Sequence, residues 1–277
     1  MNTELRQRVA WITGASGGIG RELVRHFAAE GARLVLSAHQ HLDELRAFVA
    51  AEGLPSDTLC LGADVRDASA LESVSQAALE RFGRLDVVVA NAGHWPSDDR
   101  PLYALPAARF QETLAVNLLG PAYTLRAFGQ AMAATGPHPD GQGASAILIG
   151  STAGRFGERG HSDYAAAKSG LVGLMLSVKN ELVRLDRRAR INLIEPGWTR
   201  TEMARASLED GGAVRRALST MALRQLGAAR DVARAAVFLA SPALSPHITG
   251  QTLTVAGGME GRSLWRDQEI DPAAARR

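Results

Sequence analysis

Residues 9 to 23 read Val9-Ala10-Trp11-Ile12-Thr13-Gly14-Ala15-Ser16-Gly17-Gly18-Ile19-Gly20-Arg21-Glu22-Leu23. A short apolar run of strand character ends in four glycines within seven positions, and helix periodicity begins directly behind them. Glycines allow the backbone to come close to a pyrophosphate, while the start of a helix offers unpaired N–H groups and the positive end of its dipole. Such a turn either cradles a dinucleotide or is a tight connection without a ligand; its place at the first strand-to-helix junction favours the dinucleotide. A Walker-type phosphate loop is excluded because Gly18 is followed by Ile19 rather than by Lys and Ser or Thr.

The rest of the chain keeps the same rhythm. Strand-like runs occur at Val9–Thr13, Arg33–Ala38, Thr58–Leu61, Leu85–Ala90, Ser145–Ile149, Arg190–Ile194 and Gln251–Val255, with helix candidates between them at about 18–29, 41–51, 67–81, 107–133, 163–185 and 230–240. The runs are continuously apolar rather than alternating, so helices should cover both faces of a parallel sheet. The reading is α/β: a single doubly wound Rossmann domain with a seven-stranded parallel sheet, spanning 1–259, followed by a polar tail at 260–277. Residues 201–225, broken by Asp210-Gly211-Gly212, stand apart from the βα rhythm.

The chain has 277 residues, 46% of them hydrophobic and 22% charged, which suits one large domain with a full core. One cysteine, Cys60, excludes a disulfide framework and a cysteine-based metal cluster, and no metal site is expected. No apolar run reaches the roughly 18 residues of a membrane helix, and no signal-peptide core precedes the first strand, so a cytoplasmic protein with no membrane partner is expected. A net charge of +2 without a concentrated basic run argues against nucleic acid. Of the 31 basic residues only Lys168 and Lys179 are lysines.

Lys168 stands four residues after Tyr164, so the two share a helix face. An ammonium beside a phenol favours phenolate, and lowering the phenol from about 10 to about 7 needs roughly 4 kcal/mol, which Lys168 together with the positive nicotinamide of an oxidised dinucleotide would supply at close range. Alone, the spacing is far more often that of a solvated surface pair. The upstream glycine turn and Ser151, at the end of the fifth strand, would converge with the pair at one sheet edge. Ser151 is not a hydrolase elbow, because Ile149 and Ala153 stand where glycines would be needed.

With these motifs in order, residues 8–259 resemble the single-domain short-chain dehydrogenases/reductases. The likeness rests on Thr13 to Gly20, Asp64-Val65, Asn91-Ala92-Gly93, Asn117, Ser151 thirteen residues before Tyr164, the Tyr164/Lys168 pair, and Pro196-Gly197-Trp198-Thr199-Arg200-Thr201. The carboxyl-terminal part is similar to that of 3-oxoacyl-carrier-protein reductases. The resemblance implies an NAD(P)-dependent oxidoreductase that moves hydride between a nicotinamide and a ketone or secondary alcohol, assembled as a homo-oligomer, a tetramer by that likeness. It implies a catalytic set of Ser151, Tyr164, Lys168 and Asn117, with Tyr164 as general acid/base, Ser151 orienting the substrate oxygen, Lys168 lowering the phenol and binding ribose, and Asn117 holding a water. It further implies cofactor contacts from Gly14, Ser16, Gly18, Ile19, Gly20, Asp64, Val65, Asn91, Ala92, Gly93, Tyr164, Lys168, Pro196, Gly197, Thr199 and Thr201.

At the end of the second strand Ala38 replaces the acid that would bond the adenosine ribose and repel a 2′-phosphate. With Ser37 and His39 able to bond a phosphate, NADP(H) is favoured and NAD(H) is the alternative. The substrate walls are expected from Trp95, Ala153, Phe156, His161, Trp198 and Met203, with His94, Arg155 and Met221 as further candidates, beneath a lid at about 201–225. Aromatics and methionines there suit an apolar or acyl-bearing substrate, although each is as easily core. A dinucleotide-binding regulator without turnover is the competing function; the full Ser151, Tyr164, Lys168, Asn117 set disfavours it.

Overall fold

Strand β1 (Val9–Thr13) lies at the centre of a seven-stranded sheet. Its companions are β2 (Arg33–Ala38), β3 (Leu59–Gly62), β4 (Val87–Ala90), β5 (Ser145–Ile149), β6 (Arg190–Pro196) and β9 (Thr252–Val255). They run in the order β3-β2-β1-β4-β5-β6-β9, every pair parallel, as the apolar runs led one to expect. The computed structural model describes residues 2–201, 211–223, 225–259 and 261.

Successive strand residues serve opposite faces, which is why the runs are continuously apolar. Val9 and Trp11 enter a core shared with α3 (Ala68–Phe82), α5 (Gly120–Thr135) and α7 (Ser162–Leu185), through Leu71, Phe128 and Leu171. Ala10 and Ile12 enter the other core, against α1 (Gly18–Ala29), α2 (Leu42–Ala51) and α9 (Ala229–Ala240), through Phe27, Leu45 and Val232. Between β1 and β4 the strand order reverses, and the crevice outside the carboxyl ends of the strands at that point is where such sheets take ligands.

The helix expected at 107–133 is interrupted. It begins as α4 (Ala107–Leu114), widens into a π turn over Ala115–Leu119, and continues as α5. Strand β4 starts two residues later than expected because the buried Asp86 carboxylate accepts from the Val9 N–H (2.9 Å) in place of a ladder bond. A short helix, α6 (Thr152–Phe156), follows β5, and a two-stranded parallel pair joins β7 (Thr199–Arg200) to β8 (Gly227–Ala228). Gly211-Gly212, read as an interruption, instead open α8 (Gly211–Ser219). Ala217 of α8 packs with Met221, Ala256 and Met259 in a third cluster that also takes in Phe156, Trp198, Leu218 and Leu226. The expected tail at 260–277 lies, except for Gly261, outside the described residues.

Candidate active site

The glycine turn is built by close approach. Gly14 has φ of +62°, and a Cβ there would stand 2.7 Å from Ala92 Cα; one on Gly20 would meet the Gly14 carbonyl oxygen at 2.2 Å. Asn91 braces the turn: its side-chain amide donates to the carbonyls of Thr13 (2.9 Å) and Gly14 (3.1 Å), while Thr13 Oγ1 accepts from the N–H groups of Asn91 and Ala92. The amide of Asn91 thus holds backbone. At Gly17, α1 begins with no side-chain cap and no acidic residue in its first turn, so Gly18, Ile19 and Gly20 lie where a pyrophosphate would be received. Ser16 is partly exposed beside them, its carbonyl accepting from Arg21 Nε (2.9 Å), and Thr201 packs over Gly18. The cradle fits a dinucleotide.

At the adenosine end the structure corrects one expectation. Ser37 is buried, and its hydroxyl accepts from Trp11 Nε1 (3.1 Å), because β2 turns this polar residue into the sheet face where an indole needs a partner. His39 is exposed, with Nε2 3.5 Å from Asp64 Oδ2. Hydrogen bonds from the Arg66 side chain, opposed by burial, hold the Asp64 carboxyl below its usual range, and Arg66 also reaches Glu112. Val65 is buried against Gly120, where a Cβ would meet Val65 Cγ2 at 2.8 Å.

Asn117 sits in the π turn and is fully buried. Its Nδ2 donates to the carbonyls of His94 (2.9 Å) and Thr113 (3.1 Å), and its Oδ1 accepts from the His94 N–H (3.1 Å). The extra residue of a π turn thereby fastens the loop after β4 to the helix. Gly93 lies between Asn117 and Lys168: a Cβ on it would be 3.1 Å from Asn117 Oδ1 and 3.4 Å from Lys168 Nζ. Lys168 is buried and donates to the Ile149 carbonyl (2.9 Å), and Gly154 of α6 lets that helix lie directly on the Lys168 backbone.

Ser151 caps α6, its hydroxyl oxygen accepting from the Ala153 N–H (3.1 Å), and it makes a hydrogen bond to Tyr164. The protein's own groups do not by themselves lower the phenol. Burial pushes Tyr164 up to about 12 against the pull of the Ser151 bond, and burial pushes Lys168 down to about 8. The physical reason is that both groups are desolvated together: Lys168 Nζ lies 5.6 Å from the Tyr164 ring centre and is bonded to backbone. A phenol in this state is protonated at neutral pH and able to donate.

Of the expected walls, Trp95 stands edge-on to Tyr164, ring centres 4.8 Å apart. His161 is 3% exposed and is no open wall; its ring lies 4.0 Å behind Trp95 and bonds Asp99 through Nε2 (2.8 Å). Ala153 is likewise buried. Phe156 and Trp198 border the third cluster, with Met221 buried in it, and Met203 lies outside the described residues. His94 and Arg155 are exposed, Arg155 bonding Thr254 (3.0 Å). Beyond Pro196, which ends β6, Gly197 donates to the Val255 carbonyl (3.0 Å) and Thr199 Oγ1 bonds the Gly197 carbonyl (3.0 Å). Sequence reasoning missed Arg109, Thr113 and Asp163, which meet just beneath Tyr164; the only local sign was an acid next to the tyrosine.

A family model described as Enoyl-(Acyl carrier protein) reductase matches residues 14–260. The 3-oxoacyl-[acyl-carrier-protein] reductase FabG of Escherichia coli is 33% identical over 252 residues, covering 91% of this chain and 97% of the relative. The L-rhamnose 1-dehydrogenase (NAD(P)(+)) of Azotobacter vinelandii is 33% identical over 255 residues, with coverage of 90% and 94%. A Brucella melitensis structure titled short-chain dehydrogenase/reductase SDR:Glucose/ribitol dehydrogenase superposes with a TM-score of 0.83 at 30% identity, covering 94% of this chain and 99% of that one.

With likeness of this extent to dehydrogenases and reductases, the chain is an NAD(P)-dependent oxidoreductase. It belongs to the short-chain dehydrogenase/reductase family. Among the described residues no helix is long and apolar enough to cross a membrane.

Proposed function

We propose that the chain reduces a ketone to a secondary alcohol with NADPH, Tyr164 donating the proton to the carbonyl oxygen. The observation that carries this is Tyr164 itself, hydrogen-bonded to Ser151 and set 4.8 Å from the Trp95 ring, with the ammonium of the buried Lys168 5.6 Å from its ring centre. When bound, the nicotinamide supplies hydride at its carbon 4. Ser151 orients the substrate oxygen; Tyr164 protonates it, and a donor aimed at oxygen suits a carbonyl better than an isolated carbon–carbon double bond. Lys168 bonds the nicotinamide ribose and helps to reprotonate Tyr164, with Asn117 and a held water on the route to solvent. Gly14, Ser16, Gly18, Ile19 and Gly20 receive the pyrophosphate. Asp64 and Val65 flank the adenine, Asn91, Ala92 and Gly93 shape the ribose side, and Pro196, Gly197, Thr199 and Thr201 border the nicotinamide end.

The substrate lies against Trp95, Phe156 and Trp198, in a domain of residues 1–259 with 201–225 as its lid. That apolar lining supports an acyl-bearing or otherwise apolar ketone, in keeping with the substrate named for the E. coli relative. Exposed Leu176 and Val183 on α7 support a homo-oligomer, a tetramer in this proposal. A panel of 3-oxoacyl thioesters, cyclic ketones and sugars with NADPH and NADH, followed at 340 nm, tests the reading. Reduction of an acetoacetyl thioester analogue with NADPH supports it; turnover confined to sugars with NAD(+) overturns it.

The cofactor preference rests on Ala38 and on His39, which stands exposed at the end of β2. Ala38→Asp is expected to weaken NADPH at least about tenfold, which needs an uncompensated repulsion of only about 1.4 kcal/mol, and to strengthen NADH through ribose hydrogen bonds. Fluorescence titration with both cofactors measures this. A wild type that already prefers NADH tenfold ends the NADP(H) assignment.

A further inference from the structure

We propose that Arg109 is a positioning residue for the proton transfer, its guanidinium tying the turn of α7 that carries Tyr164 to the loop after β4 that carries Trp95. The inference rests on the reading of Tyr164 as proton donor and adds a residue that neither the motifs nor the relatives indicated.

Arg109 lies on α4, largely buried, and its fork engages both segments at once. Towards α7, Nε donates to Asp163 Oδ2 (3.0 Å) and Nη2 reaches Asp163 Oδ1 and the Gly160 carbonyl (3.4 and 3.3 Å). Towards the β4 loop, Nη1 donates to the carbonyl and carboxylate of Asp98 (2.6 and 2.9 Å). The two loops also meet directly, Arg100 N–H donating to the Gly160 carbonyl (3.0 Å).

Asp163 makes this more than surface stitching. It immediately precedes Tyr164, is wholly buried, and accepts from Thr113 Oγ1 (2.9 Å) and from the Tyr164 backbone N–H. Burial works to raise its pKa, but the bonds from Arg109, Thr113 and the Tyr164 N–H outweigh it and keep the carboxylate charged. A buried carboxylate at the start of a helix is also favoured by the helix dipole. Arg109 Nη2 further lies 3.4 Å from His161 Nδ1, while His161 Nε2 lies 2.8 Å from Asp99 Oδ1. The ring so oriented backs Trp95 at 4.0 Å, and Trp95 meets Tyr164 at 4.8 Å. Arg109 therefore fixes the phenol from its backbone side through Asp163 and from its ring side through His161 and Trp95. A planar fork can serve these directions together; a point charge cannot.

Three proteins test this: Arg109→Met, the double variant Arg109→Met/Asp163→Asn, and Tyr164→Phe, each assayed with NADPH and ethyl acetoacetate beside wild type. Arg109→Met alone strands a buried charge and is expected to lower Tm. The double variant removes both charges, so its Tm is expected to recover and its kinetics to report on positioning rather than on unfolding. It is expected to bind NADPH within about twofold of wild type, yet to keep a kcat reduced by about tenfold or more, because misplacing a reacting group by about 1 Å can cost about 10²-fold. Its Trp95 emission, read against the matching protein that also carries Trp95→Phe, is expected to shift to the red whatever the substrate. A double variant with wild-type kcat and unchanged Trp95 emission overturns the proposal. If instead Tyr164→Phe retains turnover, it is the proton-donor reading that fails.

Discussion

Tyr164→Phe is expected to bind NADPH as wild type does and to turn over at least about a hundredfold more slowly, the lower end of what general acid–base catalysis contributes. The substitution removes one hydroxyl and leaves the ring that Trp95 meets edge-on, so the aromatic wall keeps its shape. Ser151 retains its bond to the Ala153 N–H and remains the cap of α6. What is lost is the transferable proton and the hydrogen bond to Ser151. Steady-state kinetics at 340 nm together with NADPH titration measure the effect, and near-wild-type turnover would remove Tyr164 from the mechanism.

Lys168 is expected to show activity and stability moving in opposite directions. Its ammonium is buried and its pKa pushed down to about 8, whereas the unfolded chain titrates near 10.4. Below pH 8 both states carry the proton and burial costs the fold its full penalty; between pH 8 and about 10.4 only the unfolded state holds it, so stability rises with pH. Two pK units or so correspond to about 3 kcal/mol, from which the bond to the Ile149 carbonyl takes back about 1 kcal/mol when it is lost. Lys168→Met is therefore expected to be more stable than wild type by about 1–2 kcal/mol at pH 7, with the advantage gone by about pH 10.4. Its turnover should fall at least about a hundredfold, and the basic limb of its pH–rate profile should move upward. Lys168→Arg keeps a charge but not the compact head, in a space closed by Gly93 and Gly154, and is expected to lose both cofactor affinity and kcat/KM. Denaturation across pH 6–10 with kinetics on the same proteins measures all of this; an arginine variant with unchanged binding and rate would reduce the Tyr164/Lys168 spacing to a coincidence.

How much of this was legible depended on distance along the chain. The glycine turn and the Tyr164/Lys168 spacing are local, and local geometry follows from sequence. The continuous apolar runs likewise foretold a sheet covered on both faces, because Val9 and Trp11 serve one core and Ala10 and Ile12 the other. The π turn was invisible, since one added residue scarcely disturbs an amphipathic pattern across 107–133. Arg109 and Asp163 are 54 residues apart, and in so Arg-rich a chain nothing marked that arginine. Ser37 misled because a polar residue at a strand end reads as outward, when its partner was an indole one strand away. The phenol misled for a different reason: spacing gives the neighbour of a charge but says nothing about the water both have lost.

The third apolar cluster has a consequence for time rather than for shape. Ala217, Met221, Ala256 and Met259 form a patch separate from the two cores that clasp the sheet, so α8 can part from it without disturbing either. Local opening of so small a unit draws on far less free energy than global unfolding. Opening at α8 is therefore expected to be decoupled from loss of the sheet cores, so that amides of α8 exchange hydrogen faster than those of β1, and substitutions that strengthen the sheet cores are expected to leave the α8 rate unchanged.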